Sequence, residues 1–203
     1  MRTAKIFGLC FFLAVAATGC DPYSEGMNLL EQGKYEAAAE FFYQAVKENP
    51  EDARAHHQLG YSYSRLKMYK EAIKQYQKAL ELKPEYFEAR LNLGTVYLKN
   101  RQAKKALEEL KKAVELKPKN ETARVNLAWA YYYNLELDKA AEHRQKAVEL
   151  SGGEKEYADL KQWLDSQKKY VKKDKDEKAG AEEAEKERES VEAASGATAE
   201  KSP

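Results

Sequence analysis

Three side-chain amides, Gln58, Asn92 and Asn126, recur at intervals of 34 residues. An amide donates and accepts hydrogen bonds at once, so a row of them can pair with the backbone of an extended polypeptide of any sequence. The other use of the same groups is to bond a neighbouring helix or water. Arg65 and Lys99 share the interval and suit an acidic segment or a terminal carboxylate. Trp129, Tyr132 and Tyr133 concentrate aromatic surface beyond the last amide, and Trp, Tyr and Arg are the residue types that dominate interface hot spots. Packing beneath a following helix is an equal reading for Trp129. All of this is binding chemistry, and bond-making chemistry finds no comparable set. His56 and His57 are neighbours that a helix turns in different directions, and no metal-ligand spacing joins them to His143. The many Glu side chains read as solvated helix faces rather than as an acid–base pair. Gly152-Gly153 follows a helical stretch instead of opening one over a phosphate. The expectation is a non-enzyme with no metal or cofactor.

The elements that must position these groups repeat with the same period. Ala38, Ala72, Ala106 and Ala140 form one column at 34-residue spacing, and Ala45, Ala79, Ala113 and Ala147 form another. Pro50, Pro84 and Pro118, Leu59, Leu93 and Leu127, and Tyr63, Tyr97 and Tyr131 keep the same interval, as do Gly26, Gly60, Gly94 and Ala128. Small residues let antiparallel helices approach closely, Leu and Tyr fill the gaps between them, and Pro ends a helix and starts a turn. The period and the order of these columns resemble the tetratricopeptide-repeat (TPR) family. The resemblance implies an all-α, right-handed solenoid of about four helix–turn–helix repeats at 19–52, 53–86, 87–120 and 121–154. The aromatic expected early in each first helix is His56, Arg90 and Arg124 here, and the second-helix aromatic is Phe42, Tyr76, Leu110 and Arg144. The fourth repeat is therefore the least typical. Asp21-Pro22 reads as an N-cap and first helical residue of a short opening helix.

In TPR proteins the first helix of each repeat lines a concave groove. The resemblance places Gln58, Asn92 and Asn126 at the sixth helical position, Tyr61, Thr95 and Trp129 at the ninth, and Arg65, Lys99 and Tyr133 at the thirteenth. It implies peptide binding by Gln58, Asn92, Asn126, Tyr61, Arg65, Lys99, Trp129 and Tyr133. The amide row resembles the asparagine ladder of superhelical TPR proteins that grip extended chains.

The first twenty residues are a separate object. Arg2 and Lys5 precede an uncharged apolar run from Ile6 to Ala17, which has the length of a signal-peptide core and is short for a membrane span. Ala17-Thr18-Gly19-Cys20 then resembles the bacterial lipobox, with Ala17 where Leu is usual. This implies a leader over 1–19 and lipidation of Cys20, with plain secretory cleavage near Gly19 as the alternative. Cys10 lies in the leader, so the processed chain keeps one Cys and no internal disulfide. Several acyl chains on Cys20 anchor a protein stably where one alone does not.

Residues 155–171 read as a capping helix, with Tyr157, Leu160, Leu164 and Val171 on one face and Trp163 at its edge. Residues 172–203 hold no aromatic and are rich in Lys, Glu, Ala and Ser, the composition of a disordered charged tail. Net charge is +1, which gives no reason to expect nucleic acid. The expected function is a lipid-anchored periplasmic scaffold that binds a protein or peptide partner, in cell-envelope assembly such as pilus or secretin biogenesis. The alternative is a holdase for exported chains. Resemblance to type IV pilus pilotins favours the outer membrane, and Asp21 after the Cys resembles the inner-membrane signal of enteric bacteria.

Overall fold

In the computed structural model, residues 21–152 are described continuously, followed by positions 162, 165–170, 172, 173, 176, 180, 183 and 186. Cys20, the leader and the apolar face expected of the capping helix lie outside the described residues. The later positions belong to a separate unit, 153–203. Those described there are helical, including Lys172, Lys173, Asp176, Gly180, Glu183 and Lys186 within the stretch expected to be a structureless tail, and these six are exposed.

Eight helices fill residues 21–152: α1 (Pro22–Glu31), α2 (Tyr35–Glu48), α3 (Ala53–Arg65), α4 (Tyr69–Leu82), α5 (Phe87–Lys99), α6 (Ala103–Leu116), α7 (Glu121–Tyr133) and α8 (Leu137–Ser151). No strand occurs among the described residues. Consecutive helices pack on one another, and α3 also touches α5 as α5 touches α7. The odd helices thus form one layer and the even helices the other. α1 is the short opening helix, and it is capped as expected: the Asp21 carboxylate accepts from the Ser24 amide and Pro22 opens the first turn. Asp52 and Asn120 cap α3 and α7 through the amides of Arg54 and Ala123.

One turn closes all four repeats. In the second, the Lys67 amide donates to the Ser64 carbonyl and the Met68 amide to the Tyr63 carbonyl, and the same pair of bonds recurs after α1, α5 and α7. This double closure needs a left-handed residue, and Gly33, Lys67, Arg101 and Leu135 supply it with φ of 71°, 61°, 58° and 63°. Three of the four carry a side chain that makes this conformation costly. The reverse turns are set by proline. Asn49, Lys83 and Lys117 precede Pro50, Pro84 and Pro118 and are driven to φ near −135° (−134°, −138° and −133°), which stops α2, α4 and α6. Gly152, where the other repeats have Pro, instead ends α8 in the left-handed region at φ 66°.

Within each repeat the two helices meet at the small-residue column. A Cβ on Gly26 would lie 2.8 Å from Phe42, on Gly60 3.0 Å from Tyr76, and on Gly94 2.5 Å from Leu110 Cγ. Phe42, Tyr76 and Leu110 are fully buried, as are Ala38, Ala72, Ala106 and Ala140 and, from the first helices, Leu59, Leu93 and Leu127. In the fourth repeat Ala128 and buried Arg144 hold the corresponding places.

Two substitutions test this packing by urea denaturation. Gly94→Ala adds a methyl where Leu110 leaves no room; overpacking costs about 1–3 kcal/mol and the better helix propensity of Ala returns at most about 1 kcal/mol, so a net loss is expected. Leu135→Gly relieves the strained turn at a 72% exposed position and raises stability by roughly 0.5–1 kcal/mol.

Candidate functional site

The layer of first helices carries the amide row, and each amide is already engaged, Asn92 also with the Tyr76 hydroxyl on α4. Gln58 Nε2 on α3 donates to Met27 Sδ on α1 at 3.2 Å. Asn92 Nδ2 on α5 lies 3.0 Å from His57 Nε2 on α3. Asn126 Nδ2 on α7 donates to Thr95 Oγ1 on α5 at 2.8 Å, and Thr95 passes its own proton to the Leu91 carbonyl. Each amide therefore stitches its repeat to the one before, the helix-bonding use of these groups. All three residues are half-buried. Among the described residues the side-chain oxygens of Gln58 and Asn126 accept no hydrogen bond, which leaves them for a ligand's N–H groups.

The other expected contacts divide along the solenoid. Tyr61 and Arg65 act together: Arg65 Nη1 donates to the Tyr61 hydroxyl at 2.9 Å, and its guanidinium stands 4.3 Å from the Tyr35 ring centre. Lys99 is exposed and forms no ion pair among the described residues. At the far end Trp129 stacks on Tyr133 at 6.0 Å and meets Tyr132 edge-on at 5.9 Å. Trp129 is half-buried and Tyr133 is 56% exposed. The structure thus brings the amides together as a row, sets a cation over two tyrosines beside it in the second repeat, and gathers aromatic surface in the fourth.

Two sets of polar side chains escaped the sequence reading. His56, Arg90 and Arg124, the residues in place of the early aromatic, reach back to the carbonyls of Pro50, Pro84 and Pro118 at 3.0, 2.5 and 2.7 Å. His56 Nδ1 also meets Gln75 Oε1 at 2.8 Å, and Arg90 pairs with Glu109 at 2.6 Å, so in the second and third repeats this column ties the proline turn to the second helix. The 34-residue spacing of Gln75, Glu109 and His143 was the available signal. In the fourth repeat His143 occupies that place and stacks on Tyr131 at 5.3 Å.

His57 is the second. It is buried against Tyr76 and Tyr86, with ring centres 5.7 and 5.0 Å away, and Nδ1 finds no partner among the described residues. Burial holds its pKa down to about 4, opposed by the Glu88 carboxylate. The ring is neutral in the fold and serves as the fixed end of the Asn92 stitch. His56 and His57 serve separate neighbours, and no group of three or more His, Cys, Asp or Glu side chains that could hold a metal occurs among the described residues.

Three family models of the tetratricopeptide repeat match the chain, at residues 29–75, 65–100 and 87–120. Among solved structures the chain is similar to a double mutant of MamA from strain RS-1, with 30% identity over 71% of this chain and 82% of that one and a TM-score of 0.68. It is similar to MamA residues 41 to the end from Desulfovibrio magneticus RS-1, with 28% identity over 73% and 84% and a TM-score of 0.70. A thermophilic TPR protein of Thermus thermophilus matches with 25% identity over 64% and 72% and a TM-score of 0.56. None of the curated proteins matches.

The neutral state of His57 sets a pH dependence. In the unfolded chain the ring takes up a proton near 6.5, and in the fold only near 4. The unfolded state therefore gains protons first, so stability is full above about 6.5 and falls as pH drops toward 4, by roughly 2–3 kcal/mol. Burial also lowers the pKa of His143, which adds loss of the same sign. The urea midpoint should fall between pH 7 and pH 4.5, and His57→Gln should flatten most of that slope.

Proposed function

The chain belongs to the tetratricopeptide-repeat family, and from that premise we propose that its row of first helices holds an extended segment of a partner protein while a lipid on Cys20 keeps it in the bacterial envelope, facing the periplasm. That it is a protein-interaction scaffold follows from the family, and no catalytic family is indicated. The observation that carries the groove is the amide row. Gln58, Asn92 and Asn126 lie on consecutive first helices, each tied through its N–H₂ group to the preceding one. At least two of the three keep a carbonyl oxygen for the N–H groups of an extended chain. Tyr61 and Arg65 on one side and Trp129 and Tyr133 on the other add a cation and aromatic anchors, and Lys99 lies between.

The envelope role rests on the leader and lipobox residues, and outer-membrane residence in pilus or secretin biogenesis on the likeness to pilotins. A holdase for exported chains is the second reading, because an amide row grips backbone regardless of sequence. Capture from detergent-solubilised membranes separates the two: stoichiometric partners mark a scaffold, and a mixed set of extended clients marks a holdase.

Two experiments test the proposal. Cys20→Ser should abolish lipid attachment and leave the helical content unchanged; an unmodified Cys20 in the mass spectrum of the processed wild-type protein refutes the anchor. Asn92→Ala with Asn126→Ala should weaken binding of a captured partner by roughly 1–4 kcal/mol in calorimetric titration, from lost bonds and orphaned partners. Circular dichroism and urea melts of the same double mutant report how far the stitches hold the repeats together. Unchanged affinity in a folded double mutant rejects the groove.

A further inference from the structure

The turns that close the second and third repeats form one edge of the solenoid, and their charge is one-sided. Residues 65–71 and 99–105 hold seven cations, Arg65, Lys67, Lys70, Lys99, Arg101, Lys104 and Lys105, against the single acid Glu71. All seven are exposed. Among the described residues none of them forms a salt bridge, although seven such pairs form elsewhere. The equivalent turns of the first and fourth repeats differ. Residues 31–37 hold Lys34 against Glu31 and Glu36, and residues 133–139 hold Lys139 against Glu136 and Asp138, with Lys139 bound to Glu136.

The backbone gives a second, independent observation. Lys67 and Arg101 occupy the left-handed turn position that Gly33 fills without strain in the first repeat. Two cations stand at the turn tips in a conformation that side chains disfavour, as uncharged Leu135 does in the fourth repeat. Arg65 is held in place by Tyr61 and Tyr35 rather than neutralised by an acid.

We propose that this edge of repeats two and three is a docking surface for an acidic segment of a protein partner. The proposal deepens the scaffold reading and does not depend on the amide row. Packed helices lie about 10 Å apart and an extended chain advances about 3.3 Å per residue, so acidic residues spaced by about three match the interval between the two turns. An anionic membrane is the less suitable partner. α1 begins after its cap Asp21 at the opposite edge, where the proline turns lie. A first helix is about 20 Å long, so a membrane surface met at the Asp21 end lies beyond the screening length of about 8 Å from the cationic turns.

The test uses the full chain and a labelled peptide with Glu at every third position, with its Gln counterpart as control. The Glu peptide alone should bind, and its affinity should fall at least about tenfold between roughly 50 and 300 mM salt. Lys67→Gly with Arg101→Gly should weaken binding at least fivefold while the thermal midpoint holds or rises by a few degrees, because Gly relieves the turn. Leu135→Gly should shift the midpoint the same way with binding intact. Equal binding of the Glu and Gln peptides overturns the proposal, as does undiminished affinity in the double Gly variant. So does tighter binding to phosphatidylglycerol vesicles than to the peptide with the same dependence on Lys67 and Arg101. Failure of the unaltered chain to bind the Glu peptide, with partner capture through Asn92 and Asn126 intact, rejects this surface and spares the groove.

Discussion

Everything in the solenoid depends on how closely the two helices of a repeat can approach. The missing side chain at Gly26, Gly60 and Gly94 is filled by the ring or branch of Phe42, Tyr76 and Leu110, each sixteen residues later. That contact fixes the spacing of the two layers, and the Ala columns let it be repeated without a gap. Close approach buries the Leu of each first helix from one side and leaves its other side to meet the next repeat. Polar stitches can then form there, because their geometry is already set by apolar packing. Apolar area supplies the stability, at about 25 cal/mol per Å² buried, and the amides supply register.

The stitches differ in chemistry from joint to joint. A thioether accepts at the first, an imidazole at the second and a hydroxyl at the third. Sulfur is a weak acceptor, the hydroxyl is itself fixed by a backbone bond, and the imidazole accepts only while neutral. A layer of first helices held by these joints has unequal stiffness along its length. The middle joint is the one that responds to acid, with Glu88, Tyr76 and Tyr86 about the ring.

The period, the helix stops before Pro50, Pro84 and Pro118 and the packed columns were legible in the sequence because each rests on residue size or ring constraint. Only a small residue fits at Gly60 or Ala72, and Pro50, Pro84 and Pro118 each stop the helix before them. The cap at Asp21 was legible for the same reason: its side chain acts on its own neighbours. What stayed hidden depends on distant partners. Nothing in the letters near Asn92 says that His57 lies beside it, and an amide row looks the same whether it holds a ligand or a helix. The departures His56, Arg90 and Arg124 were visible as departures. Their use could be found only with the proline carbonyls in view. The left-handed turn was marked at Gly33 and masked at Lys67, Arg101 and Leu135, where residue type argues against the conformation that the closure demands.

The principal helix pairs are neighbours or next neighbours in chain order, which also bears on how the chain reaches its fold. Few loops longer than one repeat need closing, so little of the entropy that slows sheet proteins stands in the way. Order spreads between adjacent units as along a one-dimensional lattice. The fourth unit has buried Arg144 where its neighbours have a ring or a leucine, and Leu135 in a strained exposed turn. Of the four units it is the one expected to order last and to open first.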